Sequence, residues 1–242
     1  MTEETTRPRV DIAVVVPAYN EAESLPELVD RIEKAIDGMG RTWEAWIVDD
    51  GSTDDTFAVT EKLAAARPQV HGLSFGRNFG KAAAISAGVD HSRGEIVVTL
   101  DGDLQDVPEE IPRFLEKLES EGLDLVSGWK QRRKDSLVKN WSSRLFNRVT
   151  GCMCGLRLHD FNCGFKAYRA PVVHALDLYG EMHRFVPIYA SWRGARVSEM
   201  PVTHHPRSRG RTKYGLERVV KVLLEQGLLP RVISARALAR SA

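Results

Sequence analysis

Long hydrophobic runs are missing from this chain. Every apolar stretch in its 242 residues is broken by charge well before the roughly 18 to 20 residues that a membrane span requires. The N-terminus, MTEETTRPRVD, has no apolar segment behind a basic one, so no signal peptide is expected. These two absences lead to the expectation of a cytoplasmic chain, or one peripheral at the cytosolic face of a membrane. Cysteine is scarce. Cys152, Cys154 and Cys163 are too few, and odd in number, for a disulfide framework. With His159 they spell C-x-C-x4-H-x3-C, but C-x-C spacing is cramped for tetrahedral zinc and no second paired motif accompanies it. They read as buried thiols in a small-residue loop. No Gly- or Pro-rich linker and no internal repeat divides the chain, which speaks against tethered domains or a solenoid. What is present, 43% hydrophobic and 28% charged residues, excludes a disordered or fibrous chain.

Net charge is only +1, but it is unevenly spread. Residues 1–129 carry 12 Lys/Arg against 26 Asp/Glu, whereas residues 130–148 carry 7 against 1 and residues 201–242 carry 9 against 2. An acidic first half and basic patches in the second suggest two differently charged ligands or surfaces.

The periodicity alternates between strand and helix. VDIAVVV (10–16) is a β-branched run ending at Pro17, the mark of a buried parallel strand. Residues 22–39 carry apolar positions at helical spacing, with Ser24 as N-cap and Glu27 three residues on. WEAWIVDD, VHGLSF, EIVVTL and LDLVSG read as further strands, separated by helices over 53–66, AAAISAGVDHS and VPEEIPRFLEKLESEG. This alternation indicates a doubly wound, mostly parallel α/β sheet flanked by helices. Further helices are expected over 137–149, with Trp141, Leu145 and Phe146 on one apolar stripe, and over 216–229. The expected organisation is a disordered N-terminus over 1–9, one domain over 10–215, and an amphipathic basic appendage over 216–242 without a transmembrane helix.

In such sheets ligands bind beyond the carboxyl ends of the strands. Three of those ends carry unusual polar groups: PAYNEAE, VDDGSTDDT and LDGDLQD. Asp101 and Asp103, two residues apart at a strand exit with Gly102 between them, suit one divalent cation, and Gln105 can add an amide oxygen. Alone, a D-x-D pattern equally describes a solvated turn. Asp106, just before Val107-Pro108, reads as the cap of the next helix. Asp49 and Asp50 suit ribose hydroxyls or a base N–H, while Asp50-Gly51-Ser52 also fits turn and cap chemistry, so that one Asp caps and the other binds. GRNFGKAA resembles a P-loop but is one residue short, and Ala82 stands where Ser or Thr belongs; it reads as a turn letting a small-residue helix pack closely. HHPRSRGRTKYG places Arg207, Arg209, Arg211 and Lys213 around a glycine with no acid, a cationic loop able to close over a diphosphate. No nucleic-acid module accompanies it, and nucleic acid is not expected as a partner.

Taken in order, VVPAYNEAESL, IVDDGSTDDT, RNFGKAAAISAG, VTLDGDLQD, HDFNCGFKAYR and RSRGRTKYG resemble a family-2 glycosyltransferase of the GT-A fold. Over residues 10–225 the chain is similar to polyprenyl-phosphate sugar synthases of the dolichyl-phosphate mannose or glucose type. The resemblance implies a Rossmann-like nucleotide-sugar half and an acceptor-side half. It implies that Pro17, Ala18, Tyr19, Glu21 and Asp50 contact the base and ribose of a UDP- or GDP-sugar. Asp101, Asp103 and Gln105 then hold Mg²⁺ or Mn²⁺ on the diphosphate, with Asp103, Arg207 and Lys213 as the catalytic set. It also implies Lys130 near the acceptor phosphate, and Asp160 and Asn162 in an acceptor-side loop. A polyprenyl phosphate is largely dianionic at neutral pH, so it is already a nucleophile and needs no strong general base. Direct attack inverts the anomeric carbon. Many bacterial relatives continue after KYG into hydrophobic spans and this sequence does not. The expectation is peripheral contact through Trp141, Leu145, Phe146 and the basic tail, or a separate membrane partner, or an acceptor that is a glycan or small molecule. A sugar-nucleotide sensor without activity is the non-enzyme alternative.

Overall fold

The computed structural model describes residues 8–130, 155–176 and 178–205. Its strands are β1 (Val10–Ala18), β2 (Trp43–Asp49), β3 (Val70–Ser74), β4 (Gly94–Thr99), β5 (Leu125–Lys130), β6 (Lys166–Arg169) and β7 (Val197–Val202). The helices are α1 (Leu25–Asp37), α2 (Thr56–Ala66), α3 (Lys81–His91), α4 (Ile111–Ser120), α5 (Ala170–His174) and α6 (Val186–Trp192). All seven strands form one sheet in the order β3-β2-β1-β4-β6-β5-β7. β1 runs parallel to β2 and β4, β2 to β3, and β5 to β7, while β6 is antiparallel to both its neighbours. Six strands therefore point one way, and the carboxyl ends of all six share an edge with the amino end of β6.

β1 shows why both faces are covered. Ile12, Val14 and Val16 pack with α1 and α4 on one side, and Ala13 and Val15 face α3 on the other. All five are fully buried. A strand buried on both faces needs a continuous apolar run, which is what VDIAVVV supplies. α1 fills the first face with Leu25, Leu28, Val29, Ile32 and Ile36, and Phe114 of α4 stacks on Phe165 with ring centroids 4.1 Å apart. On the second face α3 lies close to the sheet, because a Cβ on Gly88 would meet Val15 Cγ1 at 2.4 Å. The small-residue helix read from AAAISAG packs as expected.

Two local expectations are corrected. β1 continues through Pro17 to Ala18. Val15 O accepts from Leu100 N and Ala18 O from Asp50 N, so Pro17 faces the β4 side, beyond the last Val15–Thr99 pair, and its missing N–H costs no ladder bond. Ser24 does occupy the N-cap of α1, but its hydroxyl makes no cap bond. It donates instead to Gly102 O at 2.6 Å, tying the start of α1 to the turn after β4. No helix of the described residues is long and apolar enough to cross a membrane.

Candidate active site

The shared sheet edge collects the expected residues from six separate segments. Pro17 and Ala18 end β1 and Tyr19–Glu21 follow it, Asp49 ends β2 with Asp50 next, Asp101–Gln105 follow β4, Lys130 ends β5, Asp160 and Asn162 precede β6, and Thr203–His205 follow β7. Arg207 and Lys213 lie outside the described residues, as do Trp141, Leu145, Phe146, Cys152, Cys154 and the 216–242 segment.

The turn after β1 is held under strain. Asn20 adopts φ 54, unusual for a residue with a side chain. It is fixed on both sides: its N–H donates to Ser52 Oγ at 2.9 Å, and its Oδ1 accepts from Thr53 N at 2.8 Å. Glu21 N donates to Thr56 Oγ1 at 2.9 Å. Half-buried Tyr19 and Glu21 are thus presented by a loop pinned to the segment after β2. The two aspartates at the end of β2 are both committed to the protein. Asp49 accepts from Ser52 N at 3.0 Å and from Ser74 Oγ at 2.9 Å. Asp50 accepts from Phe79 N at 2.7 Å and from Gly80 N at 3.0 Å. The expected turn chemistry is present at both buried carboxylates: Asp49 ties the turn at Ser52 to the end of β3, and Asp50 sets the loop after β3. Burial raises the Asp50 pKa, against the pull of the Phe79 and Gly80 amides.

The turn after β4 is the second strained element. Leu104, 6% exposed and between Asp103 and Gln105, has φ 59, a genuine outlier for a bulky residue. Asp103 Oδ1 accepts from Gln105 N at 3.2 Å, closing the turn. Asp101 receives the ammonium of Lys81, the first residue of α3. Its carboxylate also lies flat against Gly164, where a Cβ would stand 2.5 Å from Oδ1 and 2.8 Å from Oδ2. Lys81 and Gly164 were not marked as site residues by the motifs, although GK before a helix and the FNCGF loop carried the signal. Among the described residues no three His, Cys, Asp or Glu side chains converge as a metal cage. Two carboxylates and one amide still fit Mg²⁺ or Mn²⁺, which bind through few protein oxygens and keep substrate phosphate and water in their shell.

Asp106 is not a helix cap. Val107 and Glu110 hold the cap positions before the helical segments that follow, while Asp106 is 1% exposed and faces Lys130 Nζ at 3.4 Å and His204 Nδ1 at 3.7 Å. Beneath the same edge Lys166, fully buried, donates from Nζ to Cys163 O. Burial pulls its pKa down to about 8 and pushes the Cys163 thiol up to about 12. Cys163 is a buried free thiol, and exposed His159 pairs with Glu199 and stacks on Trp129. Asp160 is buried and its Oδ1 accepts from Asn162 N at 3.0 Å, shaping the loop that carries Gly164 to Asp101.

Residues 13–176 match the model of glycosyl transferase family 2. The chain belongs to that family. It is 39% identical over 223 residues to a dodecaprenyl-phosphate galacturonate synthase of Rhizobium johnstonii, covering 89% of this chain and 65% of the relative. It is also 39% identical over 216 residues to an undecaprenyl-phosphate 4-deoxy-4-formamido-L-arabinose transferase of Shewanella sediminis, covering 88% and 65%. The chain thus spans just under two thirds of the length of these relatives. Among solved structures, this family-2 chain resembles a glucosyl-3-phosphoglycerate synthase from Mycobacterium tuberculosis in complex with UDP, at TM-score 0.66 and 21% identity over 93% of this chain and 80% of that one. A mannosyltransferase from Pyrobaculum calidifontis in complex with GDP-Man and Mn²⁺ aligns at TM-score 0.61 and 20% identity over 99% and 80%. The fold of this family-2 chain is therefore GT-A, as its motifs implied.

Proposed function

We propose that this chain carries an inverting, metal-assisted glycosyltransferase that moves a hexose from a UDP- or GDP-sugar to polyprenyl phosphate at the cytosolic face of a membrane. The observation that carries this reading is the convergence of the Asp101–Gln105 turn, the pinned Tyr19–Glu21 loop and Lys130 on one sheet edge. The two relatives, by their names, act with dodecaprenyl and undecaprenyl phosphate, which supports the lipid acceptor over a glycan or small molecule.

Pro17, Ala18, Tyr19 and Glu21 are assigned to the base and ribose. Asp49 and Asp50 shape that pocket, and Asp50 keeps lone pairs for the donor beyond its two amide bonds. Asp101, Asp103 and Gln105 would hold Mg²⁺ or Mn²⁺, which supplies charge neutralisation on the departing nucleoside diphosphate. Lys81 offsets the Asp101 charge before the donor arrives, so the acidic turn is not left to self-repulsion. Arg207 and Lys213 are assigned to the diphosphate or lipid phosphate. Lys130 attracts the acceptor phosphate, with Asp160 and Asn162 shaping the loop beside it. The phosphate dianion attacks directly, so the protein's task is to orient it and to withdraw charge from the leaving group.

The test is a panel of UDP- and GDP-sugars with Mn²⁺ or Mg²⁺ and polyprenyl phosphate, reading free nucleoside diphosphate and glycolipid. Metal-dependent glycolipid formation is expected. Transfer to a soluble acceptor with no response to polyprenyl phosphate would sink the lipid assignment. Gly164→Ala offers a finer check. The three atoms nearest the added Cβ all belong to the Asp101 carboxylate and none to backbone, so the side chain should shift and the thermal midpoint should hold. Because misplacing a reacting group by about 1 Å can cost on the order of 100-fold, transfer should drop by roughly 10- to 100-fold. An unchanged rate would remove the Asp101–Gly164 contact from the site.

A further inference from the structure

We propose that Asp106 is a positioning residue, whose carboxylate holds the Lys130 ammonium and the root of the basic 204–215 segment against the Asp101–Gln105 turn. Neither oxygen of Asp106 has a hydrogen-bond partner among the described residues, and the side chain is almost fully enclosed. What faces it are the Lys130 ammonium, with Nζ at 3.4 Å from the last residue of β5, and the His204 imidazole, with Nδ1 at 3.7 Å just past β7. Desolvating a carboxylate costs several kcal/mol, and a buried ion pair is poor evidence of a stabilising role. Here the arrangement has a geometric consequence. Asp106 and His204 form an antiparallel bridge, His205 N donates to Gln105 O at 3.0 Å, and Gln105 Nε2 donates to His205 O at 3.2 Å. Thr203 Oγ1 donates to Glu110 at 3.1 Å. The residue that follows the metal motif thus ties the motif to the start of the cationic segment, and its charge sits under the one lysine that ends β5.

The electrostatics agree. Burial opposes ionisation of Asp106, but the Lys130 ammonium and His204 outweigh it and hold the carboxyl well below the usual range. Burial likewise disfavours the Lys130 ammonium, and Asp106, with the carboxylates of Asp101 and Asp160 around it, keeps that ammonium protonated. With 12% of its side chain exposed, Lys130 is not fully enclosed. The consequence for catalysis rests on the assignment of Lys130 to the acceptor phosphate.

Asp106→Asn, Lys130→Met and the double variant should be compared in steady-state transfer to polyprenyl phosphate, together with amide hydrogen exchange in the absence of substrates. Removing an outer partner of this kind costs on the order of 10- to 100-fold. Asp106→Asn should raise the acceptor KM by about that factor while the donor KM stays put, and the double variant should be no worse than Lys130→Met. Exchange at the His205 amide should accelerate in Asp106→Asn. Equal effects on both substrates, or fully additive losses in the double variant, would overturn the proposal. If the unmodified chain glycosylates no polyprenyl phosphate, the lipid reading fails separately, and His205 exchange decides for Asp106: unchanged protection refutes it. Should Asp106→Asn not fold, Lys130→Met still decides, since an unaltered acceptor KM there refutes the proposal.

Discussion

Asp103→Asn should lower sugar transfer by on the order of 100- to 1,000-fold, the usual cost of removing one group that stabilises developing charge. Asp103 is the more buried of the paired carboxylates, at 7% exposure. Its Oδ1 accepts the Gln105 amide and so closes the turn that holds Leu104 at positive φ. Asparagine keeps that acceptor oxygen, so the turn should survive and the thermal midpoint should move little. What is lost is the negative charge, and with it the hold on a divalent cation that the metal assignment requires. Initial rates with saturating donor and Mn²⁺, paired with calorimetric Mn²⁺ titration and a thermal melt, separate the two effects. A variant that transfers sugar at the unmodified rate would refute the metal assignment. A rate loss matched by collapse of the melt would make Asp103 a structural residue only.

Gly51→Ala is expected to produce the largest loss of stability among single substitutions at this edge. Gly51 has φ +67, and a Cβ there would lie 2.3 Å from the Arg77 carbonyl carbon and 2.6 Å from Asn78 N. These are backbone atoms and cannot rotate aside. The left-handed backbone costs about 1–2 kcal/mol for alanine and the overlap about 1–3 kcal/mol more, for a total of roughly 2–5 kcal/mol. For a domain of this size each kcal/mol moves the melting midpoint by about 2–4 °C. Gly40→Ala is the control. Gly40 has φ +65 but nothing within 4 Å of its would-be Cβ, so only the backbone share should appear. The displaced Arg77–Gly80 loop carries the two amides that hold Asp50, so donor affinity should fall in Gly51→Ala and not in Gly40→Ala. Equal melting shifts in the two variants would show that the contact with Arg77 has no energetic weight.

Much of the first half of the sheet was legible from local pattern. β1 and β4 announce themselves as β-branched runs, as a strand buried on both faces tends to be, and β1, β2 and β4 each end where polar residues begin. The polar strand end at Asp101 and Asp103 was legible for a related reason: clustered carboxylates after a hydrophobic strand are costly unless a cation is met there, and the structure supplies the Lys81 ammonium at Asp101. β6 and β7 were not legible. KAYR and VSEMPV are short and contain charged residues, and they become strands only because β4 and β5 offer unpaired edges. The roles of Ser24, Lys81, Asp106 and Gly164 were hidden for the same reason. Each acts on a partner at least 20 residues away, through bonds or contacts that no local periodicity encodes.

By itself the sequence determined the alternating α/β order, the two-faced core of the parallel strands, and the clustering of carboxylates at the end of β4, because these depend on side-chain period and on neighbours within a few residues. Only the tertiary structure decided which charges meet. Sheet order brought Asp106 to Lys130 and His204, Lys81 to Asp101, and Asp50 to the Phe79 and Gly80 amides. Coulomb and hydrogen-bond energies depend on distance in space, and the chain separations of these pairs run from 20 to 98 residues, beyond the reach of any local pattern.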